Sequence, residues 1–126
     1  MRGVVNSALE AVIELRFADR HGQEQLIEAI IDTGFNGYLT LPSRIIQNLN
    51  ASYLGRGRAT LADGNEGIFA IYQVALRWDN QLKQVEVEVM ECAPLVGMAL
   101  LENHHLQISV VAGGEVSIQP VLSNAP

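Results

Sequence analysis

Ile30-Ile31-Asp32-Thr33-Gly34-Phe35-Asn36-Gly37-Tyr38-Leu39-Thr40-Leu41-Pro42 sets a carboxylate directly after an apolar run. Burying an unpaired charge costs several kcal/mol, so an acid in this position is either compensated or functional. Thr33 offers a short hydroxyl that can lock neighbouring backbone. Gly34 permits a tight turn and bare N–H groups near the carboxylate. The triplet alone also has a plain structural reading, a turn in which Asp caps local N–H groups. Downstream, Tyr38 to Leu41 reads as a short strand. Pro42 suits the first turn of a helix, where its missing N–H costs nothing. Ile45, Ile46 and Leu49 follow at helical spacing, with Asn48 and Asn50 as stop residues.

Working outward, the dominant pattern has period two, the mark of half-buried strands. Ala11, Ile13, Leu15 and Phe17 share one face, and Val12, Glu14 and Arg16 the other. A polar turn, Asp19 to Gly22, separates this strand from Gln25–Ile31, so the two read as an opening hairpin. Beyond Pro42, strands are expected at 58–62 and 67–78, joined by Asp63-Gly64-Asn65-Glu66. Asp-Gly between strands is a strong hairpin signal because tight hairpin turns need positive φ. A polar turn at Asp79-Asn80-Gln81 leads to Val85, Val87 and Val89, with Glu86 and Glu88 on the wet face. Pro94-Leu95-Val96-Gly97 breaks the alternation. A short helix is expected over Met98–Asn103, then a hairpin of Leu106, Ile108 and Val110 with Val116 and Ile118 around Ala112-Gly113-Gly114. The sum is a mainly β chain with two short helices, closed or sandwiched with orthogonal packing.

At 126 residues this is one domain, 1–126 with its core at about 8–120. With 48% hydrophobic and 17% charged residues, the chain can bury a core and is too apolar for disorder. A net charge of −6 repels phosphates, so no nucleic acid partner is expected. Arg56 and Arg58 read as solvated loop residues. The one cysteine, Cys92, excludes an intramolecular disulfide and reads as a small half-buried residue. Met1–Ser7 has no apolar core of a signal peptide, and no stretch approaches the roughly 20 apolar residues of a membrane span. A soluble, cytoplasmic protein is the expectation.

The order and spacing of three segments resemble the retropepsin-like (clan AA) aspartic proteases, from about Ala11 to Pro120. The first is Ile30 to Gly34, two apolar residues and Asp-Thr-Gly. The second is Leu95-Val96-Gly97-Met98-Ala99-Leu100-Leu101, two apolar residues, a Gly and a helix. Between them lies the Asp63-Gly64 turn, where that family has a hairpin flap. The string from Asp32 to Pro42 is similar to a bacterial and archaeal branch of the family. The resemblance implies a closed β-barrel of the acid-protease type, with the second signature wrapped around the active-site loop. It departs from the classical pattern at Phe35 and Asn36, where a small residue and then Asp or Ser are usual. It departs again at Met98 and Ala99, in place of Arg and Asp or Asn.

What the resemblance implies chemically is peptide hydrolysis by two carboxyl groups that share one proton. Groups about 3 Å apart cannot both ionise. One takes a proton from water and the other donates to the scissile carbonyl or leaving nitrogen, with no metal and no cofactor. The chain has a single Asp-Thr-Gly, and Asp19, Asp63 and Asp79 lie in turns without an apolar approach strand. The second carboxylate is therefore expected from a second copy, a twofold homodimer with Asp32 on the axis. By resemblance, Thr33 would bond across that axis, and Gly34 would present N–H groups to the carboxylates. Gly97 would support the loop. Asp63, Gly64 and Asn65 would form the flap over a peptide or unfolded-protein substrate. Phe35 and Asn36 would contact that substrate, and Phe35, Ile68 and Leu95 would line pockets. The alternative is a non-catalytic dimer of the same fold that binds a peptide or protein partner.

Other candidates have simpler readings. His104 and His105, adjacent on a strand, point to opposite faces and have no Cys or His at ligand spacing, so they read as a solvated pair at a helix end. Gly55-Arg56-Gly57-Arg58 lacks the lysine and helix of a phosphate loop. No serine sits in a nucleophile elbow. Trp78 reads as core or rim packing.

Overall fold

The period-two alternation at the start of the chain forms strand β2 (Ala11–Ala18), and Ala11, Ile13, Leu15 and Phe17 are all buried. It pairs antiparallel with β3 (Glu24–Ile31), Val12 opposite Ile30 and Ala18 opposite Glu24, as the hairpin reading requires. The computed structural model, which describes residues 1–60 and 63–122, adds eight further strands. These are β1 (Arg2–Val5), β4 (Leu39–Leu41), β5 (Ala51–Thr60), β6 (Glu66–Trp78), β7 (Gln81–Val89), β8 (Leu95–Val96), β9 (His104–Ile108) and β10 (Glu115–Pro120). Helices are confined to α1 (Ser43–Ile46) and α2 (Met98–Leu101) among the described residues.

All ten strands join one sheet in the order β5-β6-β7-β4-β8-β3-β2-β1-β10-β9. β6 also pairs with β2 through Arg16–Arg77 and Phe17–Leu76, and this closes a ring of β2, β3, β8, β4, β7 and β6. Every strand of the ring contributes to one apolar cluster: Phe17, Ile27, Val96, Leu39, Val87 and Leu76 are among its buried members. Removing a buried Phe or Leu side chain from such a cluster costs about 2–5 kcal/mol. No helix among the described residues is long and apolar enough to cross a membrane.

Pro42 stands one place earlier than expected, as the residue that caps α1, and it offers no side-chain acceptor. Glu91, just past the end of the neighbouring β7, takes that role: the Ser43 N–H donates to its Oε1 at 3.0 Å. The turn between β6 and β7 holds two residues, Asp79 and Asn80, at φ 53° and 61°, so Gln81 already pairs with Trp78. That left-handed pair matches the twist of a tight hairpin.

Several expectations need correction. Arg56 and Arg58 lie on β5, not in a loop, and β5 begins at Ala51 with a register irregularity between Tyr53 and Gly55. The expected strand end at residues 61–62 and the chain end at 123–126 lie outside the described residues. The second helix stops at Leu101, because Asn103 turns the chain at φ 66° and His104 starts β9. Val110 is exposed and outside β9, and Cys92 is exposed rather than half-buried. β1 was not anticipated. Only Val5 of it is buried, and it is held by pairing with both β2 and β10.

Candidate functional site

Asp32 follows the last residue of β3, and its N–H donates to the Val96 carbonyl at 2.9 Å, extending the β3–β8 ladder by one step. β8 lies between β3 and β4, parallel to the first (Ile31 opposite Val96) and antiparallel to the second (Leu39 opposite Val96). Two short apolar residues, Leu95 and Val96, thus tie together both ends of the loop that carries Asp32. The start of α2 completes the clamp. Gly97, Met98 and Ala99 donate their N–H groups to the carbonyls of Tyr38, Phe35 and Gly37 at 3.0, 2.8 and 3.1 Å.

Gly97 is a glycine because of close approach. A methyl group there would run into the Gly37 carbonyl and meet Phe35 Cδ2 at 2.6 Å. The Phe35 ring also covers Gly37, whose added methyl would meet Cζ at 2.5 Å. The ring therefore packs against the backbone at both Gly37 and Gly97. Within the loop the Gly34 N–H donates to Asp32 Oδ1 at 2.9 Å and the Phe35 N–H to the Asp32 carbonyl at 3.1 Å. The Asp caps its own turn, and its half-buried carboxylate keeps further acceptor capacity.

A groove of about 610 Å³ opens beside this carboxylate. Asp32, Gly34, Phe35 and Asn36 line it from the loop, with Thr40 and Leu95 behind them. Arg58 and Phe69 come from the β5–β6 hairpin, and Glu88 and Met90 from the end of β7. Thr33 is exposed on the loop and does not line the groove, and Gly97 sits in the clamp. Asp63, Gly64 and Asn65 form the turn at the hairpin tip, outside the groove lining. Asp63 accepts the Asn65 N–H and side-chain amide, both at 3.0 Å, which holds its carboxyl below the usual range. Ile68 is 63% exposed and faces away, so Phe69 lines the groove in its place. Successive side chains on a strand take opposite faces, so Phe69 and not Ile68 is turned to the groove.

Glu88 is the residue that alternation conceals. It alternates with buried Val85 and Val87, yet it is only half-exposed and opens into the groove. Its Oε1 would lie 3.3 Å from a methyl placed on Gly37, so it reaches the Asp32 loop. Burial first, and the charge of Glu86 second, push its pKa above the ordinary glutamate value.

His104 is no solvated residue. Its side chain is 9% exposed, and Nδ1 meets the Glu102 carbonyl at 2.8 Å while Nε2 meets Asp79 Oδ2 at 2.6 Å. The ring also stands edge-on to Trp78, with centroids 5.6 Å apart. It braces the β6–β7 turn against the start of β9. No group of three metal-ligating side chains occurs among the described residues.

No family model, no curated protein and no solved structure matches this chain.

Proposed function

We propose that the chain is one subunit of a retropepsin-like aspartic endopeptidase, a homodimer in which Asp32 and its symmetry mate share one proton and activate a water against a peptide bond. The observation that carries this reading is the placement of Asp32. It directly follows β3 of the closed ring, in a loop clamped by Leu95-Val96-Gly97, in the lining of a groove of about 610 Å³. The closure of the ring by β6 on β2 supports an acid-protease type of β-barrel. The exposed Thr33 is free to bond across a twofold axis, and the β5–β6 hairpin carries the flap.

In the dimer one carboxylate is the base that takes a proton from water. The other, protonated, is the acid that donates to the carbonyl oxygen as the tetrahedral intermediate forms and then to the leaving nitrogen. The test is purified protein on denatured casein and a peptide library, from roughly pH 3 to 8 so that each protonation state of a carboxyl pair is sampled. Cleavage that disappears in Asp32→Asn, with the dimer retained in sedimentation, is the expected result. Cleavage that persists in Asp32→Asn overturns the reading. A stable dimer that binds peptides and cleaves none assigns the groove to a binding module instead.

A further inference from the structure

The groove holds a carboxylate that the hydrolytic chemistry does not use. We propose that Glu88 is a specificity residue that selects a basic side chain, lysine or arginine, of the bound peptide; this rests on the reading of the groove as a peptide-cleaving site. Three features of the groove support it. Glu88 reaches the Asp32 loop beside Gly37, so a side chain held by it belongs to a residue close to the reacting bond. Among the described residues it has no ion pair and no side-chain hydrogen bond, whereas Arg2, Arg16 and Arg77 each have a glutamate partner. Arg58, the cation in the lining, is paired with Glu66 at 3.8 Å across the β5–β6 pair and not with Glu88.

The rest of the lining suits the remainder of such a side chain. Phe35 is fixed on Gly37 and Gly97, and Phe69 is fixed over Gly57, where an added methyl would meet its Cε2 at 2.5 Å. The loop and the hairpin thus each present an aromatic ring to the same groove. Lysine and arginine bury an aliphatic stem against apolar surface and keep the cation at its end. The faces of aromatic rings attract that cation as well. An acidic side chain in the same place would face the like charge of Glu88 and is disfavoured.

The experiment compares matched peptides that carry lysine, norleucine or glutamate at each position around the scissile bond. Wild type should favour lysine over norleucine at one position by about tenfold in kcat/KM, the worth of one charged hydrogen bond. Glu88→Gln, which keeps the shape, should bring that ratio close to unity. Glu88→Lys should turn the preference towards glutamate. Arg58→Gln should leave the lysine preference intact or raise it. Cleavage with no lysine preference, or with a preference unchanged in Glu88→Gln, overturns the inference and leaves the protease reading standing. If nothing is cleaved, the protease reading fails alone, and fluorescence anisotropy of the same peptides decides the inference. A lysine preference in Kd that Glu88→Gln removes supports it; equal Kd for all three peptides overturns it.

Discussion

The Asp32 loop and the outer half of the β5–β6 hairpin face each other across the groove and are built in opposite ways. The loop is tied by main-chain bonds to β8 and to the start of α2, and Leu39, Val96 and Leu100 beside it are fully buried. The hairpin pairs with β7 only as far as Ile71; from Arg56 and Ala70 outward its two strands pair with each other alone. In this outer half Ile68 leaves much of its apolar surface in water. A two-stranded ribbon is marginal without further packing, so local opening there costs far less than opening the loop. The difference suits the proposed chemistry. Reacting groups need a fixed geometry, and a peptide needs one wall that moves aside to admit it.

The largest expected effect lies on the fixed side. Asp32→Asn should lower kcat for peptide cleavage by about a thousandfold or more, the scale of general acid–base catalysis, with little change in the urea midpoint. Asparagine keeps an Oδ1 acceptor for the Gly34 N–H, so Asp32→Ala tests the cap: a large loss of stability there, with cleavage retained, would mean that Asp32 serves as a structural cap and not as a reacting group.

Glycine substitutions compare the two regions directly. Gly97→Ala drives a methyl into the Gly37 carbonyl and the Phe35 ring, within a clamp that has no room to relax. A cost of about 3 kcal/mol or more in urea unfolding is expected, in the class of severe backbone strain. Gly64→Ala meets no atom within 4 Å, and its cost comes only from a φ of +86°, about 1 kcal/mol. Equal costs at the two sites would break the contrast between a clamped loop and a free tip.

Much of this contrast was legible in the sequence because it is written in local chemistry. Ala11, Ile13, Leu15 and Phe17 announce a strand by period alone, and Asp63-Gly64 announces a turn because the positive φ of Gly64 is a property of one residue. Asp32 stands out because a carboxylate after Ile30-Ile31 is costly. What stayed hidden depends on partners far along the chain. β1 exists because β2 and β10 flank it, not because four residues with one buried side chain propose a strand. In sequence His104 stands beside His105, but its partner Asp79 is 25 residues away. Glu88 followed the rule for a wet strand face until the closing ring brought it opposite Thr40 and under the Asp32 loop. Alternation tells which residues share a face; it does not tell what the face meets.

The smallest expected effect tests how dry the meeting place of loop and hairpin is. Burial raises the Glu88 pKa, so the folded state holds this proton to a higher pH than the unfolded chain does. Stability therefore falls as pH rises from the ordinary glutamate range through the raised value, and the penalty persists above it. Glu88→Gln should raise the urea midpoint slightly at neutral pH and leave it unchanged in acid. Glu91, three residues on, provides the opposite sign. Its hydrogen bonding with Ser43 at the start of α1 lowers its pKa. Its contribution is present at neutral pH and is lost as pH falls through the lowered value, so Glu91→Gln should destabilise at neutral pH and not in acid. Both substitutions remove one negative charge from neighbouring positions, so their general electrostatic effect is shared and the difference in sign isolates the groove. A Glu88→Gln variant that follows Glu91→Gln in direction would mean that water fills the groove up to Glu88, and that loop and hairpin do not close around it.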